Sequence, residues 1–151
     1  MSEASTRSLA SARTFMFVAY VFATLVGWAA IRYAPVGDPL MLGLVADCAA
    51  TVAIFGWSFA YSNSSFYDAY WSVAPPLLGV YWWTTAAPGA DPLRKILALA
   101  LCTAWGIRLT YNWARGWTGL GHEDWRYVDL QTKTGKAYWL VSFAGLHFFP
   151  T

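Results

Sequence analysis

Charge is what this sequence has least of. Asp, Glu, Lys and Arg make up 12% of its 151 residues, against roughly 25% in an average soluble domain. That leaves too little polar surface for a water-soluble fold. Cysteine is almost as scarce. Cys48 and Cys102 both sit inside apolar runs, so a disulfide framework is not indicated and two small buried thiols are expected. No CxxC or HxxxH spacing exists, and His122 and His147 have nothing near them to complete a metal set, so both read as interfacial polar groups. The net charge is +2 with no basic block, which argues against a nucleic-acid partner.

Apolar and aromatic residues fill the space that charge leaves. The chain is 58% hydrophobic, and its ten Trp, nine Tyr and nine Phe cluster at the ends of apolar runs. Amphipathic rings gather at headgroup depth in this way, so the lipid bilayer is the expected surroundings. Four runs are long enough to span, at about 15–33, 40–61, 69–87 and 96–113. Turn signals around Pro35–Pro39 and Pro88–Pro92 separate them, and Asp68 bounds the third. The first run is too long for the core of a cleaved signal peptide and reads as an uncleaved helix. The segment 116–136 is too polar to span. Residues 137–151 are apolar again but reach only roughly 22 Å, short of a hydrocarbon core of about 30 Å. The expected fold is therefore all-α, a polytopic membrane helical bundle with four full spans and the start of a fifth. Residues 1–13 form a cytoplasmic tail, and 14–151 the incomplete N-terminal part of a longer bundle. With the N-terminus inside, seven basic residues lie on the cytoplasmic face (Arg7, Arg13, Arg108, Arg115, Arg126, Lys133 and Lys136) and Arg32, Arg94 and Lys95 lie opposite.

Three strings carry the unusual chemistry. Asn63 to Ser72, followed by Pro75 and Pro76, contains Tyr67 and Asp68. Ser65 and Asp68 fit a helix cap, and the aromatics fit an interfacial belt. The prolines leave the carbonyls of Trp71 and Ser72 without their usual helical partners, which suits a cavity wall. In the second string Arg108, Asn112 and Arg115 share one helix face. They are either snorkelling anchors or a forked site for an anionic group. The third, Gly119 to Tyr127, holds Glu123, Asp124, Arg126 and Tyr127 within a few residues. It is either a solvated amphipathic segment or a source of acid, base and ion-pair groups. Asp47, on a stripe with Thr51, Ser58 and Ser62, lies too deep to join these strings, and a hydrogen bond to a neighbouring helix is its expected role.

In this order, NSSFYDAYWSVAP, WGIRLTYNWARGW and GLGHEDWRY resemble a family of membrane proteins grouped with the steroid 5α-reductases and, more remotely, the isoprenylcysteine carboxyl methyltransferases. The resemblance covers about residues 40–151. It implies a bundle of six or seven spans with a cytoplasmic-side cavity. It also implies NADPH-dependent reduction of an activated C=C bond in a hydrophobic small-molecule substrate (steroid, fatty or isoprenoid), in a bacterial inner membrane or the endoplasmic reticulum. The reductases hold NADPH mainly through a C-terminal half that has no counterpart here, so this chain alone is expected to bind it negligibly. The reading places Tyr67, Asp68, Glu123, Asp124 and Tyr127 at the reacting group, and Arg108, Asn112, Arg115 and Arg126 toward an anionic cofactor. A membrane methyltransferase or a non-catalytic membrane module are the alternatives. Asp68 is further expected to pair with Arg108, Arg115 or Arg126.

Overall fold

The structure is a computed structural model that describes residues 8–150. It is all-helical, with no strand among those residues. Four long helices come first: α1 (Leu9–Tyr33), α2 (Pro39–Ala60), α3 (Tyr67–Thr85) and α4 (Pro92–Gly116). A short α5 (Trp125–Thr134) follows, and α6 (Tyr138–Val141) widens into a π-helical stretch, Ser142–Phe148. The expected tail is partly helical, because α1 begins at Leu9 with Ser8 accepting from the amide of Ser11 at 3.2 Å. The rest of that tail, residues 1–7, lies outside the described residues.

The Asp-Pro pairs set the helix starts. Asp38 accepts from the amide of Met41 at 2.9 Å, and Asp91 from that of Leu93 at 2.8 Å. In each case a proline takes the first helical position, where its missing N–H costs nothing. α1 and α2 are long and apolar enough to cross a membrane. The other two long helices match the expected third and fourth runs in position, but proline, Ser and Asp68 in α3 and basic residues in α4 dilute their hydropathy.

Small residues let the helices approach. Ala12, Met16, Ala19, Ala23 and Gly27 form the buried stripe of α1, and a Cβ on Gly27 would come 3.1 Å from the Ala46 carbonyl oxygen of α2. α3 packs on α4 through Gly106, where a Cβ would lie 2.5 Å from the Ser72 carbonyl oxygen. That carbonyl is one of the two released by the prolines, and α4 covers it. α3 runs through Pro75 and Pro76 without a break. At the far end of α2, Phe15, Trp57, Tyr61 and Phe66 form an aromatic cluster, with Phe15 and Tyr61 ring centres 4.8 Å apart. This cluster anchors the α2–α3 turn to α1. Cys48 and Cys102 are free and half-buried rather than fully buried.

Candidate functional site

The site begins where α2 ends. Ser62 takes a positive φ of 50°, and the amide of Asn63 returns to the Ser58 carbonyl at 2.9 Å. The side chain of Asn63 then does three things. Its Oδ1 accepts from the amide of Ser65 at 2.8 Å, and its Nδ2 donates to the carbonyls of Leu120 at 2.8 Å and His122 at 3.0 Å. An Asn holds its oxygen and nitrogen in one plane, so it can accept on one side and donate on the other. The next residues repeat the pairing. The amide of Ser64 donates to Glu123 Oε1 at 2.9 Å, and the amide of Asp124 donates to Ser65 Oγ at 3.1 Å. The phenol of Tyr127 donates to Asp68 Oδ1. Two strings far apart in sequence are thus stitched side by side, with Gly119 at φ 127° making the turn that aims the second string at the first.

A cleft of about 510 Å³ opens beside this seam. Tyr67, Asp68 and Trp71 of α3 wall it, with Leu109 and Trp113 of α4 and Asp124, Arg126 and Tyr127 of α5; Leu146 closes the far side. The size lies in the range of small-molecule sites, roughly 300–1,000 Å³. Its charges are arranged in two pairs. Arg126 forks onto Asp124, with Nε–Oδ1 and Nη2–Oδ2 both 2.9 Å, and the guanidinium holds the Asp124 carboxyl below the usual carboxylate range. Asp124 also caps α5 by accepting from the amide of Arg126 at 2.9 Å. The second pair is Asp68 and Tyr127. Burial, and next the nearby Asp68 charge, push the Tyr127 phenol above its ordinary value.

A family of proteins of unknown function, DUF1295, matches residues 54–150. The chain belongs to this family. No curated protein and no solved structure matches it. The DUF1295 match takes in all three strings and the whole cleft, and it leaves out α1 and the first part of α2.

Within this DUF1295 chain the candidate residues separate into three groups. Tyr67, Asp68, Asp124, Arg126 and Tyr127 meet at the cleft. Glu123 does not line it: its carboxylate bridges the amide of Ser64 and Gln131 Nε2, at 2.9 and 3.0 Å, so it is part of the seam. Arg108, Asn112 and Arg115 stand away from the cleft, all three exposed. Leu109 and Trp113, one position further round the helix, face the cleft in their place. The expected ion pair of Asp68 is also corrected. Arg126 is taken by Asp124, and Asp68 uses the phenol of the next residue, Tyr127.

Three features escape the sequence reading. His147 is fully buried, not interfacial. Its Nε2 lies 3.0 Å from Ser58 Oγ, and its Nδ1 lies 3.1 Å from the Ser142 carbonyl oxygen. Because a carbonyl only accepts, Nδ1 carries the proton, and Ser58 donates to Nε2. Beside it Ser64 Oγ bridges Tyr138 Oη at 2.6 Å and Ser142 Oγ at 3.1 Å, tying α6 to the seam. Lastly, Asp47 has no hydrogen bond or ion pair to another helix among the described residues. It lines a cavity of about 360 Å³ between α1, α2 and α3, with Trp28, Tyr70 and Tyr81. The one signal in the sequence for these features was the stripe Asp47, Thr51 and Ser58, of which Thr51 and Ser58 are fully buried.

Proposed function

We propose that this chain forms the substrate-binding part of a multi-pass integral membrane protein that reduces a C=C bond conjugated to a carbonyl in a hydrophobic substrate. Membership of DUF1295, a family related to steroid 5α-reductase-like proteins, supports the reaction class. The distribution of side chains supports the membrane. Phe17, Phe22, Leu25, Leu44, Val52, Leu101 and Ile107 are exposed, while Thr51, Ser58, Ser64, Ser65, Ser72 and Ser142 are buried. Polar inside and large apolar outside is the arrangement that suits lipid, where backbone and hydroxyl groups must find partners within the protein. In this reading α1 to α4 each span, and the N-terminus and 116–136 face the cytoplasm of a bacterial inner membrane or of the endoplasmic reticulum.

The observation that carries the chemistry is the Tyr127–Asp68 pair on an apolar-walled cleft. Asp68 Oδ1 accepts the Tyr127 O–H and holds the phenol at the cleft wall. A substrate carbonyl in the cleft competes for this O–H, and the phenol swings from Asp68 to the carbonyl oxygen. Negative charge developing on that oxygen during reduction then meets a hydrogen-bond donor. Tyr67 stands on the same wall as a second phenol. Arg126 and Asp124 neutralise one another, and Asp124 caps the start of α5, the helix that carries Tyr127.

NADPH, which the resemblance implies, does not fit these residues. Its phosphates call for free cationic groups, but the guanidinium on the cleft is already engaged by Asp124, and Arg108 and Arg115 lie outside. The reading therefore leaves NADPH to groups other than those described, in a longer protein.

The test is titration of the chain in detergent with a steroidal enone, whose ultraviolet band moves to longer wavelength when its carbonyl accepts a strong hydrogen bond. A red shift is expected, lost in Tyr127→Phe while the enone still binds. Binding without a shift in the wild-type chain would overturn the role of the pair. Saturable binding of S-adenosylmethionine in place of the enone would favour the methyltransferase alternative. For the topology, Ala90→Cys and Thr132→Cys in a background without Cys48 and Cys102 should differ in intact cells. A membrane-impermeant thiol reagent should label the first alone, and the reverse result would refute the orientation.

A further inference from the structure

We propose that the outer face of α4 is a binding site for an anionic phospholipid, its phosphate held by Arg108 and Arg115 with Asn112 between them. The inference rests on the membrane reading above. It starts from the motif that the cleft did not absorb. Arg108, Asn112 and Arg115 form a stripe about 10 Å long on α4, exposed and turned away from Leu109 and Trp113. The ion pairs among the described residues are Arg126–Asp124 and Lys133–Asp129, so neither Arg108 nor Arg115 has a carboxylate partner there. From Pro92 to His122 the sequence contains no Asp or Glu that could serve. Arg115 is instead held over the ring of Tyr111, 5.9 Å from its centre. A third guanidinium joins this end of the helix: Arg13 of α1 donates to the Ala114 carbonyl at 2.9 Å.

What surrounds the stripe decides the class of anion. Leu97, Leu101, Trp105 and Ile107 lie on the exposed side of the same helix, toward its middle. A soluble phosphate would leave that surface bare. A phospholipid covers both parts, with its headgroup at the guanidinium level and its acyl chains along the apolar side chains. Arg108 stands about 12 Å from the end of α4, and its flexible stem lets the guanidinium rise to headgroup depth. Two forked cations without competing carboxylates favour a net-negative headgroup over a zwitterionic one.

The experiment is native mass spectrometry of the detergent-purified chain, titrated with phosphatidylglycerol or phosphatidylcholine of matched acyl chains. Phosphatidylglycerol is expected to bind more tightly and to survive activation that strips phosphatidylcholine. The double variant Arg108→Gln/Arg115→Gln should weaken phosphatidylglycerol binding by about tenfold or more and leave phosphatidylcholine unchanged. Lys133→Gln, on α5, should change neither. Arg108→Lys/Arg115→Lys keeps both charges and should retain the preference, which covers the case in which the glutamine variant fails to fold. Equal binding of the two lipids by the wild-type chain would overturn the proposal. So would full competition by inorganic phosphate, or an unchanged preference in the folded glutamine variant. Alkaline carbonate extraction separates the two levels: a chain that stays in the membrane pellet yet shows no lipid preference defeats this site alone, whereas release into the supernatant defeats the membrane reading as well.

Discussion

Replacing Asn63 by alanine removes three hydrogen bonds of the seam in one step. The residue is 5% exposed, so water cannot take over freely. The carbonyl of the buried Leu120 and the amide of the buried Ser65 each lose their Asn63 partner. Leaving one buried polar group unsatisfied costs about 1–3 kcal/mol. The His122 carbonyl sits in a more exposed residue and adds less. The expected loss is about 2–4 kcal/mol, after allowance for relaxation and water entry. Asn63→Asp at neutral pH should cost more, because a carboxylate oxygen would replace the donor that faces two carbonyls. Asn112→Ala, on an exposed stripe, serves as the reference and should stay within about 0.5 kcal/mol of wild type. Unfolding in detergent, followed by circular dichroism against added denaturing surfactant, gives the ranking. If Asn63→Ala unfolds together with Asn112→Ala, the seam does not hold the two strings together and the geometry of the cleft needs another cause.

Gly106→Ala should separate α3 from α4. Its Cβ would meet backbone, the Ser72 carbonyl, at 2.5 Å, so an overpacking loss of about 1–3 kcal/mol is expected, and a neutral result in the same unfolding assay would refute the close approach. Arg126→Ala should cost under about 1 kcal/mol in stability, because the Arg126 side chain is 63% exposed and solvent screens the pair. A loss comparable to that of Asn63→Ala would mean that the ion pair, rather than the hydrogen bonds, places α5. The Tyr127 phenol is raised in the folded state, so its contribution is fully present below about pH 10 and is lost as the pH rises further. In a spectrophotometric titration, the difference between wild type and Tyr127→Phe should stay flat through the range in which exposed tyrosines ionise; a normal step near pH 10 would show that the phenol is not sequestered.

The helices were legible because their signals are local. Asp-Pro pairs mark two starts and apolar runs give the lengths; within the polar stretch 116–136, α5 is a short helix. The meeting of the first and third strings was legible from topology: four consecutive antiparallel helices bring the loops after the second and fourth to one end. What periodicity could not supply was rotation. It puts Arg108, Asn112 and Arg115 on one face, but it does not say which neighbour that face meets. One residue is about 100° of turn, and that offset gives the cleft to Leu109 and Trp113. The same limit hid the partner of Asp68. Arg126 and Tyr127 are adjacent in sequence, with the guanidinium 5.9 Å from the centre of the Tyr127 ring, yet they take different partners, Asp124 and Asp68.

Ser58 and His147 show a different limit. Each is a single polar residue in an apolar run, and neither run carries a pattern that names the other across 89 positions. The reason they pair is thermodynamic and non-local: in a bundle with little polar surface, a lone hydroxyl and a lone imidazole each cost free energy until they find a partner. Asp47 sharpens the point. It obeys the same rule by sequence, on the same face of α2 as Thr51 and Ser58, yet no hydrogen-bonding or charged partner stands beside it among the described residues, and a cavity does. A polar residue between the helices of such a bundle therefore predicts a partner or an opening, and only the packing of the third helix tells which.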